Sequence, residues 1–300
     1  KGAGMSTLAN ILYDLGNDVE GYDDVKEHKF TQEGLDKRNI KIYYDNTHPL
    51  EKDRIVTYSV ALNQNHKELQ RVRENGLRIV KYNEILGNLT EMFDTVCVSG
   101  THGKTTTSTL ITHILDSVYK VNYFIGDGTG YAKKDNKIFV IESDEFNRHF
   151  LAYHPSYTVI TNIELEHTEI YKDLADTIET FEKFANKAEL VVANGDDKNI
   201  RQIKFNNKVI FYGENEDNDY IIKNIKLESD GSHFDLYEKD KLLSNFFVPL
   251  YGHHMVMNTA ASIIVALQNN LTVEEIKKLL ENFKNAARRF AIEEVNGTII

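Results

Sequence analysis

Residues 99 to 105 read Ser-Gly-Thr-His-Gly-Lys-Thr, immediately after the apolar run Val96-Cys97-Val98. A β-branched strand that runs into two glycines, a lysine and a threonine-rich helix start confines the fold to those built from strand, tight loop and helix in succession. Gly100 and Gly103 let backbone N–H groups close around phosphate oxygens, Lys104 supplies a compact cation, and the Thr105 hydroxyl suits a magnesium ion. Thr107, Leu110, Ile111, Ile114, Leu115 and Val118 recur at helical spacing, so the expected helix follows. The standard eight-residue phosphate loop would place a glycine five positions before Gly103, where this chain has Val98. The loop is therefore read as a compact Gly-Thr-His-Gly-Lys-Thr variant, with Gly100, Thr101, His102, Gly103, Lys104, Thr105 and Thr106 as its phosphate cradle.

The remaining composition narrows the ligands. The chain has 300 residues, 41% of them hydrophobic and 27% charged, which favours two globular domains with proper cores. A formal charge of −11 argues against nucleic-acid and anionic-membrane partners, so anionic small ligands must be met by local positive groups. The single cysteine, Cys97, excludes a disulfide framework and a cysteine-rich metal site, and a cytoplasmic setting is expected. No apolar run has the length of a membrane span.

Along the first 88 residues, helices are expected at 5–15, 31–38, 65–75 and 82–89, alternating with strands at 18–22, 40–44, 54–59 and 77–81. Such alternation with short connections indicates a parallel sheet covered by helices, and the opening unit resembles half of a Rossmann fold. Gly2 and Gly4 occupy the first two glycine positions of that fold's fingerprint, Thr7 stands at the third, and Asp23 follows the next strand where a ribose-binding acid sits. The opening glycine turn lacks the strand that should deliver it, so the chain is expected to be a fragment. From 89 onward the strands expected at 94–98, 122–125, 137–142, 157–162, 189–193 and 208–212 are almost continuously apolar, as in a parallel sheet buried on both faces. Alternating residues from 219 to 251 around Ser229-Asp230-Gly231 predict antiparallel hairpins, and helices are expected at 254–268 and 273–283. Thr272 with Glu275 should form a capping box on the second of these. The fold class is thus α/β: a Rossmann-like domain at 1–88 and a phosphate-loop domain with an antiparallel subsheet at 89–300.

Candidate chemistry lies at strand ends, where open α/β sheets bind ligands. Glu142, in Glu142-Ser143-Asp144-Glu145, follows one apolar strand and can hold magnesium; His167 follows another, through Thr161-Asn162-Ile163-Glu164-Leu165-Glu166. Gly126-Asp127-Gly128-Thr129-Gly130 can line a substrate path or simply turn. Arg148-His149-Phe150 adds positive charge near the acids. Asn258 can read a base edge or cap its helix, and Arg288-Arg289-Phe290 can pair with anions or pack at a helix end.

In this order, the loop with Thr106-Thr107, the Val-Ile-Glu-Ser-Asp-Glu stretch, Thr161 to His167, His254 with Asn258, and Arg288-Arg289-Phe290 resemble the Mur ligases of peptidoglycan precursor synthesis. The resemblance covers essentially the whole chain. It implies ATP and Mg2+ as cofactors, with Lys104 on the β- and γ-phosphates and Thr105, Glu142 and His167 on the metal. Lys104, Glu142 and His167 are then the catalytic residues. It further implies Asn258 at the adenine, Arg288 and Arg289 at phosphate or substrate anions, and Gly2, Gly4, Ser6, Asp23 and Ser59 around the uridine diphosphate. His102 and the opening Gly-Ala-Gly-Met-Ser point to the branch that joins L-alanine to the lactyl carboxylate of UDP-N-acetylmuramate through an acyl phosphate. The chain departs from the family at Ser143, where an alanine is usual, at Asn147, where an acid is usual, and at His253-His254-Met255. The family's third domain is expected to be missing, and this chain alone is expected not to ligate. The alternatives are a ligase that recycles murein tripeptide, and a phosphate-loop ATPase or nucleotide-binding module without a ligase role.

Overall fold

The computed structural model describes residues 1–283 and the two short strands Glu294–Val295 and Thr298–Ile299. The order of elements is α1 (Ala3–Asp14), β1 (Glu20–Tyr22), α2 (Gln32–Lys37), β2 (Lys41–Tyr43), β3 (Ile55–Val56), α3 (Lys67–Glu74), β4 (Arg78–Ile79) and α4 (Tyr82–Glu91). There follow β5 (Asp94–Ser99), α5 (Lys104–Tyr119), β6 (Asn122–Phe124), β7 (Gly130–Tyr131), β8 (Ile138–Glu142), β9 (Tyr157–Ile160), α6 (Leu174–Ala185), β10 (Leu190–Asn194) and β11 (Lys208–Gly213). The described helices and strands up to residue 283 end with β12 (Tyr220–Glu228), β13 (Gly231–Glu238), β14 (Lys241–Val248), α7 (His253–Gln268) and α8 (Val273–Glu281).

Ten of these strands make one sheet in the order β14-β13-β12-β11-β10-β9-β5-β8-β6-β7. The run from β12 through β11, β10, β9, β5 and β8 to β6 is parallel, while β13, β14 and β7 pair antiparallel. The alternating segment is thus an extension of the parallel sheet. β5 lies inside the sheet, between β9 and β8, with both of its faces apolar. Val96 and Val98 point into a core with Leu110, Ile111 and Ile114 of α5 and Ile263 and Ile264 of α7, whereas Cys97 points into an opposite core.

That opposite core contains Leu8 and Ile11 of α1, Leu86 and Leu89 of α4, and Phe181 and Phe184 of α6. Helices from the first 88 residues therefore cover one face of the large sheet. The four strands of this first region pair in parallel, β1 with β2 and β3 with β4, as two separate ladders. The strand expected at 54–59 contracts to Ile55–Val56, and Ser59 lies three residues beyond it. The capping box at Thr272 and Glu275 forms as expected. Among the described residues, no helix is long and apolar enough to cross a membrane.

Candidate active site

β5 delivers the chain to the loop, and α5 carries it away. Gly100 has φ +132° and Gly103 has φ +85°, conformations that glycine adopts without cost. Space imposes glycine as strongly. A Cβ on Gly100 would run into the Thr161 hydroxyl and the Asn162 backbone, and one on Gly103 would stand 2.6 Å from the Asn258 amide oxygen. The loop is also stitched to the segment after β9. The His102 N–H donates to Asn162 Oδ1 (2.8 Å), the Asn162 amide donates to the His102 carbonyl (3.0 Å), and the Glu164 N–H donates to Thr101 Oγ1 (2.8 Å).

A cavity of about 360 Å³ opens over the start of α5, lined by loop residues 101–106 with Glu142, His254, Met255 and Asn258. The first turn of any α-helix directs N–H groups that lack intrahelical partners outward, so this wall suits an anion. The Thr106 hydroxyl is buried there and has no hydrogen-bond partner among the described residues. Thr105 Oγ1 donates to Glu142 Oε1 at 3.1 Å, which brings a hydroxyl and a carboxylate together at the cavity wall. Glu142 Oε2 accepts the Gly126 N–H at 2.8 Å.

His167 belongs to a neighbouring group. Its ligand atoms cluster with those of Glu145 and Glu166, all within 4.8 Å of one another, and its Nε2 stands 3.9 Å from Glu145. His167 holds φ +52°, and its ring meets that of Phe146 edge to face at 4.9 Å. The structure therefore sets Thr105 with Glu142, and His167 with Glu145 and Glu166. Oxygen donors with one imidazole form a hard set that fits magnesium. Another carboxylate and imidazole group, Glu228, Asp230 and His233, lies at the turn between β12 and β13.

Glu145 is the residue that sequence reasoning passed over. Its carboxylate is buried and pairs with Lys104 Nζ at 3.0 Å. Burial raises its pKa, and the adjacent Lys104 charge opposes that rise only in part. The signal was present in the acidic run after β8, where Glu145 stands three residues past Glu142. Arg148, expected to add charge near these acids, instead pairs with Asp176 at 2.7 Å and lies over the Tyr171 ring.

Four of the uridine candidates, Gly2, Gly4, Ser6 and Asp23, lie at or beside the start of α1. Gly2 precedes the helix, a Cβ on Gly4 would stand 2.7 Å from Tyr82 Oη, and the buried Ser6 hydroxyl has no hydrogen-bond partner among the described residues. Asp23 accepts from the Lys1 amine and from the Val25 N–H (2.8 Å). Ser59 accepts from the Ala61 N–H at 3.3 Å and is half-buried. A Cβ on Gly128 would meet Thr31, Phe30 and Ala3, so the 126–130 loop runs from Glu142 to the neighbourhood of this helix start. Arg288, Arg289 and Phe290 lie outside the described residues.

Comparison with known proteins bears on both regions. Residues 1–94 match the model of the Mur ligase family catalytic domain, and residues 98–266 match that of the Mur ligase middle domain. The UDP-N-acetylmuramate–L-alanine ligase of Lacticaseibacillus paracasei is 41% identical across all of this chain, which covers 69% of that protein. The corresponding ligase of Lactiplantibacillus plantarum is 38% identical with the same coverage. The crystal structure of UDP-N-acetylmuramate-alanine ligase from Thermotoga maritima shares the fold, with a TM-score of 0.84 at 24% identity over 97% of this chain and 68% of that one.

Proposed function

Since the chain belongs to the Mur ligase family, in the branch of UDP-N-acetylmuramate–L-alanine ligases, we propose how its residues divide that reaction. The activity is the ATP-dependent joining of an amino acid to UDP-N-acetylmuramate in peptidoglycan precursor synthesis. In this proposal residues 89–300 hold ATP and residues 1–88 hold the UDP-sugar, in the cytoplasm. An amine does not displace oxide from a carboxylate at neutral pH. The lactyl carboxylate therefore takes the γ-phosphoryl group of ATP, ADP leaves, and the alanine nitrogen attacks the acyl carbon and expels phosphate.

Such a transfer is promoted by positioning and charge neutralisation. Lys104 and the start of α5 receive the β- and γ-phosphates, with the Thr106 hydroxyl as an added donor. Asn258 lies beside Gly103 and takes the adenine side of the cavity. Thr105 with Glu142, and His167 with Glu166 beside it, are the groups that would hold magnesium. The ion would neutralise phosphate charge there. Gly2, Gly4, Ser6, Asp23 and Ser59 border the uridine diphosphate, and Arg288 and Arg289 pair with phosphate or substrate anions.

The observation that carries this reading is the Thr105–Glu142 hydrogen bond at the wall of a cavity that also contains the loop and Asn258. The test is Lys104→Ala in the full-length protein, with phosphate release measured in the presence of ATP, UDP-N-acetylmuramate and L-alanine. Turnover should fall at least about a hundredfold. Retained turnover would remove Lys104 from its assigned role, and a preference for a tripeptide over alanine would move the chain to the recycling reaction.

A further inference from the structure

Lys104 has three ammonium protons, and the chain itself supplies their acceptors. Nζ donates to the Gly100 carbonyl at 2.5 Å, to the Thr101 carbonyl at 3.1 Å, and to both Glu145 oxygens at 3.1 and 3.0 Å. Two of these partners belong to the very loop that would cradle a phosphate. The ammonium is folded back over its own loop, with a carboxylate closing the third side.

That carboxylate is fixed from behind. The Glu145 carbonyl accepts from Tyr171 Oη at 2.6 Å and from the Arg148 N–H at 2.9 Å. The Arg148 guanidinium lies 5.0 Å from the centre of the Tyr171 ring and donates to Thr180 (2.6 Å) and to Asp176 (2.7 and 2.9 Å). Asn147 and Arg148 hold left-handed φ values of 54° and 57°. Two successive residues other than glycine keep that conformation only where their surroundings over-determine it. With 5% of its side chain exposed, Glu145 has little room to move aside.

We propose that Glu145 is a positioning residue that acts through Lys104. It holds the ammonium over the loop before nucleotide arrives, and it aims the ammonium once phosphate oxygens displace the two loop carbonyls. The inference rests on the reading of Lys104 as the phosphate lysine. An anchored carboxylate competes with phosphate for the same cation and repels it, so it weakens ground-state binding. By restricting where the ammonium can point, it favours the geometry of transfer over that of binding.

The experiment compares wild type, Glu145→Gln, Glu145→Asp, Tyr171→Phe and Lys104→Ala in the full-length protein. The readouts are the affinity for a non-hydrolysable ATP analogue, with EDTA and with Mg2+, and kcat with UDP-N-acetylmuramate and alanine. Glu145→Gln should tighten analogue binding in EDTA about threefold to tenfold. It should also lower kcat at least about tenfold. Glu145→Asp keeps the charge and should recover part of kcat, with affinity near wild type. Tyr171→Phe leaves both charges in place and should lower kcat with affinity unchanged; it carries the test if Glu145→Gln does not fold. Unchanged kcat and affinity in Glu145→Gln, alongside an inactive Lys104→Ala, would overturn this proposal alone. Weakened binding of Glu145→Gln confined to Mg2+ would make Glu145 a metal ligand and overturn it as well. Wild-type behaviour of Lys104→Ala would sink the underlying reading, and the proposal with it.

Discussion

The glycines at the starts of α5 and α1 are there for different reasons. At the start of α5, Gly100 and Gly103 adopt left-handed φ values and press against Thr161, Asn162 and Asn258, so both conformation and space demand glycine. At the start of α1, Gly2 has an ordinary φ of −70° and nothing within 4 Å of where a Cβ would stand, while Gly4 is crowded by Tyr82 alone. The first turn is closed by its own protein. The second leaves open space. A glycine that the fold requires and a glycine that a ligand requires look alike in sequence, and only the neighbours tell them apart.

Substitution should separate the two. Gly100→Ala should be the most damaging, because a residue other than glycine is strained there and its Cβ meets fixed backbone; about 3 kcal/mol should be lost in urea denaturation. Gly103→Ala should cost about 2 kcal/mol. It should also weaken nucleotide binding tenfold or more, since the Asn258 side chain has to shift. A Gly100→Ala protein as stable as wild type would collapse the contrast. Gly4→Ala should cost about 1 kcal/mol, relieved in the Tyr82→Phe background where the crowding hydroxyl is gone. Gly2→Ala should change stability by less than about 0.5 kcal/mol while weakening UDP binding, as calorimetry would show. If stability falls and UDP affinity does not, the open space at Gly2 has no ligand.

Acid provides a further contrast, because the first region relies on charge where the loop relies on backbone shape. Glu68 of α3 is buried, which pushes its carboxyl up, but bonds from Arg71 (2.9 Å) and Asn46 (2.9 Å) and the nearby His48 outweigh burial and hold it below the ordinary range. A depressed folded pKa contributes stability that is present above the unfolded value, about 4.3, and is lost as pH falls through the lower folded one. Glu68→Gln should therefore be less stable at neutral pH and show a flatter acid limb. An unaltered acid limb would show that the first region does not depend on this carboxylate.

Much of the fold could be read from residues alone because burial on both faces writes itself as continuous apolar sequence. The strands expected at 94–98, 137–142, 157–162 and 189–193 are β5, β8, β9 and β10 to within two residues at each end. The hairpins after 219 announced themselves by alternation and the Ser229-Asp230-Gly231 turn. The first region was less legible at 54–59, where an exposed Ile55 and a half-buried Val56 form a ladder two residues long. At the site, the loop and Glu142 stood out by type and position. The pairing of Glu145 with Lys104 joins residues 41 positions apart and depends on the left-handed turn at Asn147 and Arg148, for which apolar periodicity has no sign. Asn258 is a site candidate by sequence, but its place opposite Gly103 follows from the packing of α7 on α5.

Glu142 has one oxygen on Thr105 and the other on the Gly126 N–H, and Gly128, two residues further, lies near enough to Ala3 and Thr31 that a Cβ there would meet them. One carboxylate is thus the common datum from which both helix starts are measured. A shift of this group would be felt at α5 through the Thr105 hydroxyl and in the 126–130 loop through the Gly126 N–H. Two reactants arriving from opposite sides of the sheet edge would meet in a frame whose dimensions were fixed when the chain folded.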